Sequence, residues 1–332
     1  MTSIRIKRQP EEFCLRFLKF SITALLTLLI CLAILYVSDR VRFHWIFRCW
    51  QLAVTPSACL KGGHFDFEAD IDGHLYRGST ENYLERHILI YGAYEKPMLF
   101  FLRDVMALAH AHKGIFLDIG ANTGQHSIFM SKYAAEIHAF EPWQPVLKKF
   151  QQIVEINRIK NIVLHPYGLG DVNSKKPFFK PIGDNLAAGS FVADFRDSNA
   201  YDTELEIRTG DDSVERAGLK SVDLIKMDIE GYERPALKGL RHTLQTYRPI
   251  VAFELSVDPK SSITIKDSND LVALFPESYE FVVFSEKSDP WTGKYDLRPL
   301  ADVLQFERAQ QYDVVAYPKE KKRYIPLSGP GR

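Results

Sequence analysis

The chain has 332 residues, enough for one large α/β domain with additional segments or for two domains. Apolar residues make up 46% and charged residues 25%, a composition that excludes a wholly disordered chain. Lys and Arg together number 42, as do Asp and Glu, and this zero net charge argues against a general nucleic-acid binder. All four cysteines lie at or before position 59, so the rest of the chain holds neither a disulfide framework nor a CxxC zinc site.

The first predicted element is an uncharged run of 19 residues, Phe20–Ser38. As a helix it would measure roughly 28 Å, about the thickness of the hydrocarbon core of a bilayer. Cations flank the run and no small-residue cleavage site follows it, so it predicts a single-pass transmembrane anchor rather than a signal peptide or a buried helix. Residues 1–19 would then be a short basic tail, and residues 39–63 a juxtamembrane amphipathic segment and linker.

From residue 64 to 332 the chain alternates short apolar runs with segments of helical periodicity. After an amphipathic segment at 81–112, strands are predicted at 114–120, 136–140, 161–169, 222–229 and 249–255, and helices at 124–134, 143–158 and 233–247. Such alternation is typical of a mostly parallel sheet with helices on both faces. Two late runs, 279–286 and 312–319, predict an antiparallel pair at one sheet edge, and 173–212 an irregular insertion over the ligand end.

The turn after the first of these strands carries candidate ligand-binding residues. Gly120 and Gly124 let the backbone approach a ligand at the carboxyl end of a strand, where open sheets bind ligands. The turn is neither a P-loop nor G-x-G-x-x-G, since no Gly-Lys-Ser/Thr follows and Asn122 replaces the second glycine. Asp118 favours a ligand with a cationic or hydroxyl-rich end. Glu141, 21 residues after Gly120, stands where α/β nucleotide folds place a ribose-binding acid.

Three separated blocks resemble the FkbM family of S-adenosylmethionine-dependent methyltransferases. They are FLDIGANTGQHS (116–127), AFEP (139–142) and LIKMDIEGYERPALKG (224–239), within a family core of about 91–255 in a methyltransferase domain of 64–332. The resemblance implies the class I methyltransferase fold, a Rossmann-like seven-stranded sheet whose last pair is antiparallel, and S-adenosylmethionine as cofactor. It also implies three cofactor contacts: the methionine end framed by Asp118, Gly120, Asn122 and Gly124, the ribose hydroxyls bonded to Glu141, and the adenine bordered by Gly168 and Leu169.

The predicted fourth strand carries the candidate catalytic residues. Asp228 and Glu230 are two positions apart, so both point to the same side of an extended strand. Either could take the proton of an acceptor hydroxyl, with Lys226 offsetting their charge. The alternatives are a helix-capping role for Glu230, simple pairing of Lys226 with Asp228, or a metal held by Asp228, Glu230 and Glu254. His126 matches no metal-ligand spacing and is interpreted mainly as a packing residue, with lining of the methyl site as the lesser alternative.

The resemblance implies O-methylation of a hydroxyl, and an anchor favours a glycan, glycolipid or other membrane-associated acceptor. The rival interpretations are a nicotinamide-dependent sugar oxidoreductase and a catalytically inactive membrane-anchored binding or scaffold protein. No nucleic-acid partner is predicted. Five cations before the uncharged run against three after it slightly favour a catalytic domain on the far side of the membrane. Cytosolic synthesis of S-adenosylmethionine, the lack of an N-x-S/T sequon and the lack of a cysteine pair in the domain favour the cytoplasmic side, which is the prediction.

Overall fold

The computed structural model describes residues 24–36, 65–110, 113–181, 189–193, 199–258, 261–302 and 310–329. The chain divides into two compact units, Met1–His64 and Phe65–Arg332. In the first unit, residues 24–36 form helix α1, and its apolar side chains are largely exposed. No helix within the described ranges is both long and apolar enough to cross a membrane. The rest of the predicted anchor, the basic tail and the juxtamembrane segment lie outside the described residues.

The second unit alternates helices and strands. Its helices are α2 (Tyr83–Tyr91), α3 (Lys96–His110), α4 (Gln125–Met130), α5 (Gln144–Asn157), α6 (Gly210–Arg216), α7 (Glu233–Gly239), α8 (Arg241–Tyr247) and α9 (Ser268–Ala273). Its strands are β1 (Asp66–Ile71), β2 (His74–Ser79), β3 (Ile115–Ile119), β4 (Glu136–Phe140), β5 (Ile162–His165), β6 (Gly168–Gly170), β7 (Ser174–Pro181), β8 (Asn199–Thr209), β9 (Leu224–Met227), β10 (Ile250–Val257), β11 (Tyr279–Phe284), β12 (Tyr295–Pro299), β13 (Gln310–Pro318) and β14 (Ser328–Gly329). Two 3-10 turns, Leu300–Asp302 and Lys319–Tyr324, complete it.

A nine-stranded mixed sheet, in the order β14-β12-β11-β13-β10-β9-β3-β4-β5, forms the centre of the unit. The pairings from β10 to β5 are parallel, and those from β10 to β14 are antiparallel. Strands β3 and β9 are nearly continuous apolar runs, as expected of parallel strands covered on both faces. The main core accordingly lies around Leu117, Ile119, Ile225 and Met227, all of which are fully buried.

The order of the strands places a ligand site between β3 and β9. The chain leaves β3 toward β4 and β5 on one side, and leaves β9 toward β10 on the other. Right-handed crossovers then place the connecting helices on opposite faces of the sheet. Open sheets bind ligands at such a switch point, outside the carboxyl ends of the strands. Here the Asp228 amide donates to the Ile119 carbonyl at 3.0 Å, so the turns after β9 and β3 lie side by side.

The structure confirms the α/β class and the antiparallel pairing of the two late runs, and corrects other expectations. The sheet has nine described strands instead of seven, because the short, partly polar β12 and β14 extend the edge beyond β11. The antiparallel pair is therefore not the edge. The run 161–169 splits into β5 and β6, which belong to different sheets. The segment 233–247 forms two helices because the backbone at Leu240 leaves helical geometry.

The segment 173–212 is also more regular than expected. Strands β7 and β8 pair with β6 in a separate three-stranded sheet, and α6 follows directly. The sequence of β7, SKKPFFKP, lacks the apolar alternation that reveals a half-buried strand, so periodicity missed it. The hairpin of β1 and β2 was also missed, although Phe67, Ala69 and Ile71 alternate with acidic residues along β1. The described part of this segment does lie at the ligand end, where Phe178 and Phe191 line a cavity.

Candidate active site

Two cavities meet at the carboxyl ends of β3 and β9. The first, the apolar cleft, has about 570 Å³ of empty volume and is lined by Ile119, Gly120, Asn122, Phe140, Glu141, Pro142, Trp143, Val146, Gly168, Leu169, Phe178, Gly189, Phe191, Asp228, Ile229, Glu230 and Tyr232. The second, the polar chamber, has about 910 Å³ and is lined by Tyr83, Leu84, Tyr94, Gly120, Ala121, Asn122, Thr123, Gln125, His126, Lys226, Asp228, Glu230, Glu254 and Gln311. Gly120, Asn122, Asp228 and Glu230 line both.

The turn after β3 brings backbone to the junction of the two cavities. Gly120 has a φ of 82°, and a Cβ there would lie 2.0 Å from the Asp228 carbonyl oxygen, so only glycine allows the two turns to touch. Asn122 also adopts the left-handed region, with a φ of 51°. A Cβ at Gly124 would lie 2.1 Å from the Phe150 ring, so this glycine serves the packing of α5 and lines neither cavity.

Glu141, directly after β4, holds the apolar cleft in shape. Its Oε2 accepts the Asn122 amide at 2.9 Å and its Oε1 accepts the Trp143 amide at 2.8 Å. Burial raises the pKa of Glu141 to about 7, although both backbone hydrogen bonds favour the charged form. Each carboxylate oxygen accepts one hydrogen bond in this way and keeps lone-pair capacity for a ligand hydroxyl.

Aromatic side chains form the walls of the cleft beyond Glu141. Trp143 and Phe178 have ring centroids 5.8 Å apart, and Phe178 and Phe191 lie edge to face at 5.4 Å. Leu169 on β6 is buried and lines the same cavity. A Cβ at Gly168 would lie 3.0 Å from the Phe191 ring, so a side chain there would crowd the cleft. The result is a narrow apolar slot suited to a planar aromatic group.

Lys226 and Asp228 form a buried ion pair at the end of β9. The Lys226 ammonium donates to the Asp228 carboxylate at 3.2 Å, and the lysine side chain is only 6% exposed. Burial alone would lower the pKa of Lys226, but the carboxylates of Asp228, Glu95 and Asp118 outweigh it and raise the pKa above its ordinary value. The lysine is therefore charged at neutral pH and compensates a group of acids.

Asp118 lies beneath the turn rather than in a cavity. It is fully buried, and its Oδ2 accepts a hydrogen bond from the Ser127 hydroxyl at 2.6 Å. Its Oδ1 is buried with no hydrogen-bond partner among the described residues. Burial raises the pKa of Asp118, whereas Lys226 lowers it. Asp118 thus supports the site from below and is the one predicted acid that lines neither cavity.

Further carboxyl groups face the chamber from elements that are distant in sequence. Burial, followed by Asp228 and Glu230, raises the pKa of Glu254 on β10 to about 11, and Gln311 donates to Glu254 Oε2 at 2.9 Å. Asp313, paired with Glu254 in register, has its pKa raised to about 6 by burial and by Asp228. Glu254 therefore keeps its proton at neutral pH, whereas Asp313 is mostly ionised there.

His126 lies in the chamber against Glu95. Its Nε2 is 3.4 Å from the Glu95 carboxylate, and within the described ranges this atom is buried with no hydrogen-bond partner. Burial and the nearby Lys226 charge lower the pKa of His126 well below its ordinary value, so the ring is neutral at pH 7. His126 therefore lines the chamber, which was the lesser of the two interpretations from sequence.

The turn between β9 and α7 is held together by an acid at the start of the helix. Glu233 Oε1 accepts the Ile229 and Gly231 amides, each at 3.2 Å, and burial raises the pKa of Glu233 to about 8. Glu230 has a φ of 54° and lines both cavities, while its carbonyl accepts the Ser190 hydroxyl at 2.7 Å. Glu233 therefore holds the turn that precedes α7, and the start of α7 has no side-chain cap, so the capping role considered for Glu230 is not seen.

The structure brings most of the predicted residues together. Those that line one or both cavities are Gly120, Asn122, Glu141, Gly168, Leu169, Lys226, Asp228 and Glu230, whereas Asp118 and Gly124 support the turn. Tyr94 and Glu95 lie within the family-like core, but sequence reasoning gave no role to them or to the aromatic walls, because contacts between distant segments place them at the site. Within the described ranges no group of three or more His, Cys, Asp or Glu side chains is arranged to hold a metal ion.

The residues of the cleft fit S-adenosylmethionine. A planar adenine matches the slot between Leu169 and Phe178, and ribose hydroxyls match the Glu141 carboxyl group. The sulfonium and ammonium charges match the Asp228 and Glu230 carboxyl groups at the junction of the two cavities.

Comparisons with known proteins agree with this fit. A sequence model of the Methyltransferase FkbM domain matches residues 118–312, more than half of the chain. The 2-O-methyltransferase NoeI of Sinorhizobium fredii is 25% identical over 199 residues, 54% of this chain and 81% of the relative. The hexuronic acid methyltransferase AglP of Haloferax volcanii is 28% identical over 152 residues, 44% of this chain and 58% of the relative.

A solved methyltransferase FkbM from Methylobacillus flagellatus is 17% identical, with a TM-score of 0.38 over 70% of this chain and 53% of its own. That superposition is too loose to carry an argument, so the assignment rests on the family match. The match sets aside the nicotinamide-dependent oxidoreductase. The chain belongs to the FkbM family of methyltransferases, and its cofactor is S-adenosylmethionine.

Proposed function

We propose that the protein O-methylates a hydroxyl group of a sugar carried by a glycan, a glycolipid or another membrane-associated metabolite. The observation that carries the proposal is the shared lining of the two cavities. Asp228 and Glu230 face both the apolar cleft, which fits the cofactor, and the polar chamber. An acceptor in the chamber therefore lies next to the donor end of the cleft, as an in-line displacement requires.

The polar chamber suits an acceptor rich in hydroxyl groups. Carboxyl, amide and phenol groups line it, and each can donate to or accept from a hydroxyl. Among the described lining residues Lys226 is the only Lys or Arg, and its charge is already paired with Asp228. An anionic acceptor would find no free cation there, so we favour a neutral sugar over a hexuronic acid. The 2-O-methyltransferase relative supports transfer to oxygen.

The carboxyl groups at the junction handle the proton of the acceptor. When bound, S-adenosylmethionine supplies the methyl group: the acceptor oxygen forms the new C–O bond while the C–S bond breaks and leaves its electron pair on sulfur. The hydroxyl proton passes to the Asp228 carboxylate, which lines both cavities and which the Lys226 ammonium contacts at 3.2 Å. Glu230 on the same turn orients the hydroxyl from the other side of the junction.

A direct test uses the full chain purified in detergent. The enzyme is incubated with isotope-labelled S-adenosylmethionine and with neutral glycolipid and glycan extracts, and products are identified by mass spectrometry. We expect a labelled ether whose mass rises by one CH₂ group, and we expect Asp228→Asn to form it at least about 10²-fold more slowly while S-adenosylhomocysteine still binds. Label found only on nitrogen or on carboxyl groups would contradict O-methylation. Binding of the cofactor product without any transfer would favour the inactive scaffold.

We also propose that residues 20–38 anchor the protein in a membrane with the catalytic domain on the cytoplasmic side. The uncharged run has the length of a spanning helix, and the cofactor is made in the cytosol. Protease added to intact cells should leave the catalytic domain whole, and protease added after lysis should digest it. Digestion without lysis would reverse the orientation. Recovery of the full chain in the aqueous fraction after carbonate extraction would contradict the anchor.

A further inference from the structure

A row of aromatic rings runs along one face of α2 beside the polar chamber. Tyr83, His87 and Tyr91 are spaced four residues apart, so their side chains lie one above the other on the helix. The Tyr83 and His87 rings are 4.2 Å apart between centroids, and the His87 and Tyr91 rings are stacked at 5.4 Å. Trp291 continues the row, 4.4 Å from Tyr91. We call Tyr83, His87, Tyr91 and Trp291 the aromatic row.

The aromatic row is not needed for the core that α2 covers. The other side of the helix supplies the core, with Leu84, Ile88 and Leu89 buried. In contrast, Tyr83 is 40% exposed, and the remaining three rings of the row are partly exposed. A helix face turned to solvent normally carries charged or polar side chains, so three aromatic positions in succession indicate contact with a ligand.

The loop that carries Trp291 is held in place. The Trp291 amide donates to Asp289 Oδ1 at 3.0 Å, and the Thr292 hydroxyl donates to Asp289 Oδ2 at the same distance. The Lys96 ammonium, at the start of α3, donates to the Trp291 carbonyl at 3.0 Å. These bonds fix the backbone of Trp291 against α3, so its ring is preorganised next to Tyr91.

The aromatic row is continuous with the acceptor cavity. Tyr83 lines the polar chamber, and so does Tyr94, whose ring lies 5.8 Å from His87 in an edge-to-face arrangement. A molecule that places one hydroxyl at Asp228 and extends outward past Tyr83 would next meet His87, Tyr91 and Trp291. The contact surface offered there is formed mainly by rings, with the Arg86 guanidinium over the Tyr83 ring at 5.8 Å.

We propose that the aromatic row binds a neutral sugar residue next to the one that is methylated. This inference rests on the proposed function and extends it from a single acceptor hydroxyl to an oligosaccharide. The C–H faces of a pyranose are apolar and pack on aromatic rings, while its rim of hydroxyl groups stays in water or bonds to Tyr and His side chains. The row therefore selects oligosaccharide acceptors over monosaccharides.

The test measures binding of neutral tetrasaccharides, chitotetraose and maltotetraose, to the full chain in detergent by saturation-transfer NMR and calorimetry. We expect at least one of them to bind and Trp291→Ala to weaken its binding roughly three- to tenfold. Binding of the matching monosaccharide should be unchanged by this variant. The conservative variant Trp291→Phe should restore most of the affinity, whereas the matched control Tyr201→Ala, an aromatic 61% exposed on β8, should have no effect.

Two results would overturn the proposal that the aromatic row binds a neutral sugar residue. One is a wild-type protein that binds S-adenosylhomocysteine but neither tetrasaccharide. The other is equal tetrasaccharide affinity in the wild type and in Trp291→Ala, each with normal S-adenosylhomocysteine binding and thermal unfolding. Failure of the proposed function is a different outcome: tetrasaccharides bind through Trp291, yet no sugar hydroxyl in any extract accepts a methyl group.

Discussion

The apolar cleft and the polar chamber share four lining residues but are built in opposite ways. In the cleft Glu141, the acid that does not also line the chamber, accepts hydrogen bonds from two backbone amides that belong to the cleft itself. In the chamber, Lys226, Asp228, Glu230 and Glu254 lie close together. Burial raises the pKa of Glu254, and nearby carboxylates raise the pKa of Lys226 although burial opposes them. A cavity whose polar groups already have hydrogen-bond partners suits a cofactor that binds in one fixed pose. A cavity whose buried charges are not fully compensated suits a site of proton transfer.

The largest effect is expected for Gly120→Ala, which would force apart the turns that both cavities share. The new Cβ would meet the Asp228 carbonyl at 2.0 Å, with a φ of 82° adding strain. We expect a loss of at least about 4 kcal/mol of unfolding free energy, or no folded protein. Gly218→Ala is the control, since its φ is 68° but nothing lies within 4 Å, and it should cost about 1 kcal/mol. Equal melting temperatures for the two variants would contradict this reason for Gly120.

The next effect separates chemistry in the chamber from binding in the cleft. Asp228→Asn removes the proposed proton acceptor, and we expect kcat to fall by about 10²–10⁴. S-Adenosylhomocysteine affinity should change by less than about tenfold, because Glu141 and the aromatic walls remain. Single-turnover kinetics and calorimetry measure the two quantities. A variant with normal kcat would exclude Asp228 as the base and move attention to the neutral ring of His126.

Glu141 should make the stability of the ligand-free protein depend on pH. Its pKa is about 7 when folded, against 4.5 for an ordinary glutamate. Between about pH 4.5 and about pH 7, Glu141 is ionised in the unfolded chain but still protonated in the folded protein. Its contribution to the free energy of unfolding is therefore largest below about pH 4.5 and is lost as the pH rises through about 7. The loss is on the order of 3 kcal/mol. Thermal unfolding from about pH 5 to about pH 8 should show a smaller decrease for Glu141→Gln. Parallel pH profiles would refute the raised pKa.

The cleft should also depend on Glu141 for its ligand. Glu141→Ala removes an acceptor for ribose hydroxyls and should weaken S-adenosylhomocysteine binding by about 1–3 kcal/mol. Glu155→Ala on the exposed side of α5 is the matched control and should bind normally. Calorimetry of both variants decides the point. If the two bind alike, the ribose is held by other groups.

The smallest effect is expected for Glu254→Gln in the chamber. With a pKa of about 11, Glu254 is already neutral at pH 7, and the glutamine oxygen can still accept from Gln311. The free energy of unfolding should therefore stay within about 0.5 kcal/mol of the wild-type value. The change in kcat should likewise correspond to less than about 0.5 kcal/mol of activation free energy. Glu254→Ala, which removes the acceptor altogether, should cost about 1 kcal/mol. A large change in kcat for the glutamine variant would mean that Glu254 works as a carboxylate.

The sequence by itself located the residues of the apolar cleft better than those of the polar chamber. Strands β3, β4 and β9 are short apolar runs followed by turns, so local patterns located Gly120, Glu141 and Asp228 at strand ends that must meet. A glycine in the turn after one strand and an acid directly after the next strand can each be recognised within a single segment of the sequence. The contact between Gly124 and Phe150 shows the limit, because a packing glycine and a ligand glycine look the same in sequence.

Only the tertiary structure decided what lies on the acceptor side. Tyr94 comes from the connection before α3, Glu254 from β10 and Gln311 from β13, and the fold brings them to one cavity from positions up to 217 residues apart. The three-stranded sheet β6-β8-β7 was also missed, because β7, with the sequence SKKPFFKP, has no alternation of apolar and polar residues. The reason is physical: a pKa depends on burial and on neighbouring charges, and both are fixed by contacts between distant segments.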